Sequence, residues 1–372
     1  ENKHWRSIAM EEKSKDEMAF GNILKKGVLA RTDFDISILS KTAPLRMGSR
    51  NKRRVFKLAC PTEDFMSGTL TFGRWKALSL PPKISTADHR PSVDCRQDVY
   101  TYDIPKKENI EFHVNFADPH LFGFYGGGLF AQDEMQVAEH PSLGCLREYL
   151  ESKPVGEFIA RCSVGRHDPT PCIVMGAPRL CHVQVDPNSA EGRPRGLYGN
   201  NFAKASQEAI HNAVIPIRPP TISNIIAMVA PSYGAGRYSF NQVKGILETA
   251  YTSFLGARME AYLNSGFIKP SGDLLAIEKK PNVVIHTGNW GTGAYGGNKI
   301  MMALLQIVAA QLSGTDLLVY HTVTLDGTKA FDQATELYNH LIPKSGESEI
   351  ALGTFIDRII KIGLVWGYSN GT

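Results

Sequence analysis

Several features are scarce in this chain, and each absence narrows what it can do. No apolar run reaches the 18 residues or so that a membrane-spanning helix needs. The six cysteines, at 60, 95, 145, 162, 172 and 181, include no C-x-x-C pair and no zinc spacing. They read as scattered reduced thiols rather than a disulfide framework or a metal site. No repeat unit is visible, which excludes solenoids and propellers. The net charge of +4 over 372 residues is too small for a general nucleic-acid binder. The local basic run "RMGSRNKRRVFK", Arg46 to Lys57, reads as a solvated loop or arm rather than a polyanion site. What is present is ordinary: 42% hydrophobic residues, enough at this length to bury a core without disulfides or metals. A monomer in a cytoplasmic or nuclear setting, or delivered into a host cytosol, is expected. The first residue is Glu1, which leaves room for a lost targeting segment.

Residues 1–54 are polar and read as an N-terminal accessory region, with a short amphipathic helix around Met18 to Lys26. From Val55 the pattern turns extended. "VFKLAC", "TLTFGRWKAL", "DVYTYDI" and "IEFHVNFA" are β-rich and separated by turn chemistry such as "LPPK" and "DHRPS". A helix from Ser142 to Glu151, short strands "EFIARC", "CIVMGAP" and "LCHVQV", and a long loop "GRPRGLYGNNF" follow. Strands and helices then alternate: "NIIAMVAP", helix Phe240 to Asn264, "NVVIHT", a glycine loop, helix Ile300 to Leu312, "DLLVYHT", and helices Lys329 to Leu341 and Gly353 to Ile362. This alternation predicts an α/β fold over residues 55–372, one sheet with helices on both faces.

Two glycine clusters carry chemistry. "VVIHTGNWGTGAYGGNKI" ends a strand at Thr287, places five glycines between 288 and 297, and enters a helix. Unpaired N–H groups at a helix start, the helix dipole and the missing side chains together admit a diphosphate. The plainer alternative is a tight turn with close helix–sheet packing. The cluster contains a formal G-x-G-x-x-G, Gly291 to Gly296, but far from a first βαβ unit. The acid that follows, Asp316, precedes its strand, so a nicotinamide-dependent oxidoreductase is disfavoured. In "LFGFYGGGLFAQDEM", Gly126, Gly127 and Gly128 precede Asp133 and Glu134. Glycines beside paired carboxylates suit a phosphate-bearing substrate cleaved by proton transfer. Taken alone, the pair is explained as well by a helix N-terminus, where acids complement the dipole.

Together these segments resemble the poly(ADP-ribose) glycohydrolases, the glycohydrolase branch of the macrodomain fold. "TGNWGTGAYGG" is similar to that family's phosphate-and-ribose loop. "VNFAD", "GGG" and "QDE" resemble its "VDFAN", "GGG" and "QEE" signature, and the likeness spans about residues 100–320. It implies a macrodomain-like mixed sheet and a hydrolase without cofactor or metal, whose partners are ADP-ribose and ADP-ribosylated proteins rather than nucleic acid or membrane. Glu134 falls on the family's catalytic acid, with Asp133 beside it. Asp118 stands where the family has an asparagine contacting the ribose next to the scissile bond. Ile104 stands at an adenine contact, with Pro105 where an acid is expected, and Tyr295 at an aromatic that packs on the ribose. Asn115, Gln132, Gly126, Gly127, Gly128, Thr287, Gly288, Asn289, Trp290, Gly291, Gly293 and Ala294 complete the implied substrate contacts. The triple glycine sits three to four residues later than the family pattern, and an ungapped reading puts Gly123, Phe124 and Tyr125 in its place. No tyrosine-bearing clasp is apparent. A carboxylate at Asp118 suits a guanidinium, hence an arginine-linked ADP-ribose. The rival reading is a macrodomain that holds ADP-ribose without cleaving it. Cys145 near His140 suggests a weaker nucleophile–base idea. His286 reads as a substrate contact or a core histidine, His113 and His120 lack a ligand pattern, and Trp290 and Trp366 read as anchors.

Overall fold

One eight-stranded mixed sheet organises the chain in the computed structural model, which describes residues 19–62, 65–85, 90–165, 168–231, 234–275, 279–342 and 349–369. The strands are β1 (Val28–Asp35), β2 (Thr69–Trp75), β3 (Ser92–Arg96), β4 (Asn109–Ala117), β5 (Cys172–Val183), β6 (Val214–Val229), β7 (Asn282–Gly288) and β8 (Leu317–His321). Their spatial order is β1-β2-β5-β6-β4-β7-β8-β3. From β6 to β3 every neighbour is parallel; β1, β2 and β5 add an antiparallel flank. The parallel strands therefore deliver their C-terminal ends to one sheet edge, where open α/β sheets bind ligands. Asp118, Ala230, Asn289 and Thr322 all leave strands there.

Helices cover the sheet unequally. On one face α5 (Phe240–Asn264), α6 (Lys299–Ser313), α7 (Leu325–Leu341) and α8 (Leu352–Ile362) build the larger core with Phe112, Val114 and Ile285. Ser239 and Gln242 cap α5 reciprocally, each side chain accepting from the other's backbone N–H. On the other face α1 (Ile36–Thr42), α2 (Arg50–Ala59), α3 (Gln132–Glu139) and α4 (Pro141–Ser152) pack over β2, β5 and β6 around Phe72, Phe130 and Val174. The same face of β4, β7 and β8 carries a polar stack. His113 lies between Tyr102, at 4.2 Å, and His286, at 4.4 Å.

Four expectations are corrected. "VFKLAC" is helical, part of α2, because Lys52, Val55 and Ala59 share one buried face at helical spacing. The basic run is therefore a packed helix, and only its outward side is solvated. "DVYTYDI" forms no strand; its tyrosines lie on the sheet face instead of joining the ladder. "EFIARC" makes only isolated bridges, Val155 with Phe158 and Arg161 with His120. "CIVMGAP" and "LCHVQV" fuse into β5, which bulges at Gly176 with φ of 83°. A Cβ there would lie 2.3 Å from the Thr69 carbonyl oxygen. In the N-terminal region, residues 19–27 are helical, Val28–Asp35 supplies an edge strand, and residue 54 falls within α2. Residues 1–18, Met18 included, lie outside the described residues. The six cysteines are free, and four of them are buried. Among the described residues no helix is long and apolar enough to cross a membrane.

Candidate active site

The acid pair sits where β4 ends and α3 begins. Gln132 opens α3 and ties it to the strand: its Oε1 accepts from Phe116 N at 2.8 Å, and its Nε2 donates to Val114 O at 2.9 Å. Asp133 and Glu134 follow, 8% and 3% exposed. Asn115 Nδ2 donates to Asp133 Oδ1 at 2.9 Å, and Ala131 N donates to Glu134 Oε2 at 2.9 Å. Glu134 thus caps a helix whose preceding residue, an alanine, has no side-chain acceptor. Burial pushes the Asp133 carboxyl above the usual carboxylate range, the Glu134 charge adds to this, and the Asn115 hydrogen bond opposes it. Burial also raises Glu134, against the nearby Lys52 ammonium and the Ala131 N–H. Asp118, half-buried at the end of β4, pushes both upward. Its Oδ1 accepts from His120 N at 3.0 Å and lies 3.2 Å from His120 Nδ1. A pair so placed retains a proton at pH values where free carboxylates have lost theirs, as a proton donor must.

The triple glycine beside it is partly filled by protein. A Cβ on Gly126 would lie 2.3 Å from the Arg46 carbonyl oxygen, and Ser49 N donates to Gly126 O at 3.0 Å. Gly127 and Gly128 are exposed, with Gly128 backed by Ala203. At the alternative register, Tyr125 is engaged by structure: its hydroxyl accepts from Arg46 N and donates to Glu148 Oε1.

Two side chains near the acids escaped the sequence reading. Lys52 of α2 is 2% exposed, its Nζ 3.5 Å from Phe124 O and 5.8 Å from the Phe130 ring centroid. Burial lowers its pKa to about 8, against the charges of Glu134 and Asp133. The available signal was the spacing of Lys52, Val55 and Ala59 behind an N-cap at Ser49. Tyr198, from the loop "GRPRGLYGNNF", is raised by burial and by the Glu134 charge, against a hydrogen bond with the Gln132 backbone. It had no local signal.

The second cluster lies at the end of β7, the parallel neighbour of β4. Gly288 passes so close to β8 that a Cβ would meet His321 O at 2.5 Å. Trp290 is fully buried and donates from Nε1 to Met228 O at 3.1 Å, anchoring the loop from below. Gly291 adopts φ of 72°. Thr287 is buried against Gln306, and Asn289 Nδ2 donates to Thr322 O at 3.1 Å. Asn298 caps α6, accepting from Ile300 N and Met301 N, so these helix-start donors are already occupied. The half-exposed stretch from Gly291 through Gly293 and Ala294 to Tyr295 remains the accessible part.

Ile104 is not brought to this edge. It is exposed and lines a cleft of about 660 Å³ with Asn109–Glu111 and Thr221–Asn224, at the opposite end of β4. Seven residues of nearly extended chain, roughly 23 Å, separate Glu111 from Asp118. His286 is a core histidine, with Nδ1 3.0 Å from His321 Nε2 and Nε2 3.1 Å from Glu111 Oε2. His140 pairs with Ser223 rather than Cys145, whose thiol burial pushes up to about 12. That does not suit a nucleophile. Asp316 accepts from Val283 N and serves as a strand tie. Trp366 stacks on Tyr238 at 4.5 Å. No group of three or more His, Cys, Asp or Glu among the described residues is placed to hold a metal ion.

Residues 198–330 match the family described as poly(ADP-ribose) glycohydrolase, macro domain fold. This stretch contains β6, α5, β7, the second glycine loop and β8, and excludes the acid pair. The mixed sheet flanked by helices and this partial match agree on a macrodomain-like α/β fold. The poly(ADP-ribose) glycohydrolase of Thermomonospora curvata is 11% identical, with 87% of this chain and 99% of that one covered and a TM-score of 0.41. The Deinococcus radiodurans enzyme in complex with ADP-ribose is 12% identical, with 83% and 95% covered and a TM-score of 0.42. No curated protein matches the chain.

Proposed function

We propose that this protein hydrolyses the ribosyl linkage of ADP-ribosylated proteins, mono- or polymeric, with Glu134 as the general acid. The observation that carries the reading is a buried acid pair, its carboxyls pushed upward by burial, on the same sheet edge as the loop from Gly288 to Gly297. The diphosphate rests on the half-exposed backbone from Gly291 to Tyr295, and the ribose reaches toward Asp118. Glu134 protonates the departing oxygen or nitrogen as its bond to the anomeric carbon breaks. A water then attacks the oxocarbenium-like centre, and its proton returns to the Glu134 carboxylate. Asp133, held by Asn115, keeps a second carboxyl beside the donor, and burial with the Glu134 charge raises its proton affinity. The half-exposed Asp118 carboxylate favours a cationic leaving group such as the guanidinium of an arginine linkage.

One observation favours a binding-only macrodomain: Glu134 is already engaged as a helix cap by Ala131 N. The two readings separate in a release assay with arginine-linked, serine-linked and polymeric ADP-ribose, run beside calorimetry with free ADP-ribose. Release is expected, fastest from the arginine linkage. Tight binding with no release from any of the three substrates makes the protein a reader. Release from polymer alone removes the role given to Asp118.

A further inference from the structure

Apart from the acid pair, a line of four titratable side chains crosses the sheet. It starts at Asp98, just past the end of β3, and runs through His321 of β8 and His286 of β7 to Glu111 of β4. Asp98 Oδ1 lies 2.6 Å from His321 Nδ1, His321 Nε2 lies 3.0 Å from His286 Nδ1, and His286 Nε2 lies 3.1 Å from Glu111 Oε2. Both rings are buried, so an unmet contact between them is costly.

These three contacts fix a proton count. Each needs one hydrogen between its heavy atoms, because carboxylate oxygens and bare imidazole nitrogens only accept. Two neutral imidazoles supply two hydrogens and leave one contact as lone pair against lone pair. Two imidazolium rings supply four and set N–H against N–H at 3.0 Å. Three hydrogens fill all three contacts. The third rests on a ring rather than a carboxyl, since imidazole is the stronger base by about two pH units. We propose that the Asp98–His321–His286–Glu111 line holds one imidazolium between two carboxylates, and that the loss of its proton as pH rises is a switch acting on the glycine loop. His321 ends β8, where a Cβ on Gly288 would meet its carbonyl oxygen at 2.5 Å, and Asn289 Nδ2 donates to Thr322 O at 3.1 Å. His286 lies two residues before Gly288 on β7. A repulsive contact in the line therefore reaches Gly288 and Asn289 from both strands.

The surroundings leave the charge in the line. Arg96 of β3 is held by Asp94 at 2.8 Å and approaches Asp103 at 3.7 Å. Tyr100 stands edge-on to His321, with 5.0 Å between ring centroids. His113 of β4 stacks on His286, Tyr102 covers its other face, and Arg179 of β5 and His140 pack against Tyr102. His113 is no second proton store, because burial and the His286 charge hold it well below its ordinary value. Burial also lowers His321, against the Asp98 hydrogen bond, which favours placing the charge on His286. Burial raises Glu111, yet its hydrogen bond and charge interaction with His286 bring it below its ordinary value.

The test is ¹⁵N-imidazole NMR on the ligand-free wild-type protein, Glu111→Gln and Asp98→Asn, with backbone amides followed in the same samples. At about pH 7.5, past the ordinary histidine value, one ring of the His286–His321 pair should carry hydrogen on both nitrogens and the other on one. A Gln amide can donate as well as accept, so Glu111→Gln no longer needs the third hydrogen. Its loss should then come about one pH unit or more lower. Should that variant not fold, Asp98→Asn, at the more exposed end of the line, makes the same comparison. Amide signals of Gly288 and Asn289 should move with the same midpoint as the rings. The proposal is overturned by two neutral rings at about pH 7.5, by two doubly protonated rings at about pH 6, or by loop amides that ignore the transition. Only the expected consequence, ADP-ribose affinity that falls as pH rises through that midpoint, rests on the reading of the loop as its diphosphate site. Rings and amides that titrate as described in a protein that binds no ADP-ribose at any pH sink that reading and leave the switch standing.

Discussion

The two glycine clusters look alike on the page and differ in what occupies the space their missing side chains leave. At Gly126 the space is taken by the Arg46 carbonyl, so the residue docks the N-terminal segment against the loop that leads to the acids. Around Gly288 to Gly297 glycines also serve packing, Gly288 against His321, Gly291 against Ala230 and Gly297 against Met302, yet the stretch from Gly291 to Tyr295 stays half-exposed. A missing Cβ announces a close approach without saying what approaches. The acid end is defended by buried charge and by contacts distant in sequence. The loop end is held by an anchored tryptophan and an open backbone.

The largest effect should come from separating these two tasks. Glu134→Gln keeps the hydrogen-bond acceptor for Ala131 N but removes the proton donor. Turnover should fall on the order of 10²-fold or more while calorimetric binding of ADP-ribose changes little. A mutant with full hydrolysis ends the assignment, and one that loses binding as well merges the two regions into one.

Next in size is Gly126→Ala, which drives a Cβ to 2.3 Å from a backbone oxygen. A stability loss of about 1–3 kcal/mol is expected by thermal or denaturant unfolding, with unchanged ADP-ribose affinity in the folded protein. Lost affinity at unchanged stability would restore Gly126 as a phosphate cradle. Ala294→Asp tests the other cluster by placing a carboxylate on its half-exposed stretch. Affinity for ADP-ribose should weaken about tenfold, about 1.4 kcal/mol, with the melting temperature unmoved. Equal affinity would mean that the diphosphate lies elsewhere.

How much of this was legible beforehand follows the range of the contacts. Helix Phe240–Asn264 was readable to its ends, because a long periodic segment with a reciprocal cap carries its own evidence. So was the strand–glycine loop–helix order around β7. Helix α2 was misread because "VFKLAC" is β-rich in composition, while its burial is set by Asn51 meeting Phe202, some 150 residues away. "DVYTYDI" has the aromatics of a strand, but stacking Tyr102 on His113 satisfies them without a ladder. Ile104 was assigned by register with a family pattern, which fixes position along the chain and not which end of β4 the chain returns to. Lys52 could be read as helical and inward-facing, yet nothing local says that its ammonium lies within the field of two acids of another helix.

The smallest effect discriminates between the regions by pH. The Asp133 carboxyl is raised from an ordinary value of 3.8, chiefly by burial. Between that value and its folded pKa the native state holds a proton that the unfolded state has released. Stability must therefore fall as pH rises through that window. Asp133→Asn removes this term, and the amide oxygen at the new side chain still accepts from Asn115. The variant should gain about 1 kcal/mol near pH 7, and its stability should decline less between about pH 5 and pH 8. Thermal unfolding across that range, compared with Ala294→Asp as the control at the other cluster, reads the difference. If Asp133→Asn tracks the wild type at every pH, the pair is not under the electrostatic strain that distinguishes the acid end from the loop. A flattened profile for Asp133→Asn alone, with the wild-type slope kept in Ala294→Asp, places that strain at α3 and nowhere in the glycine loop.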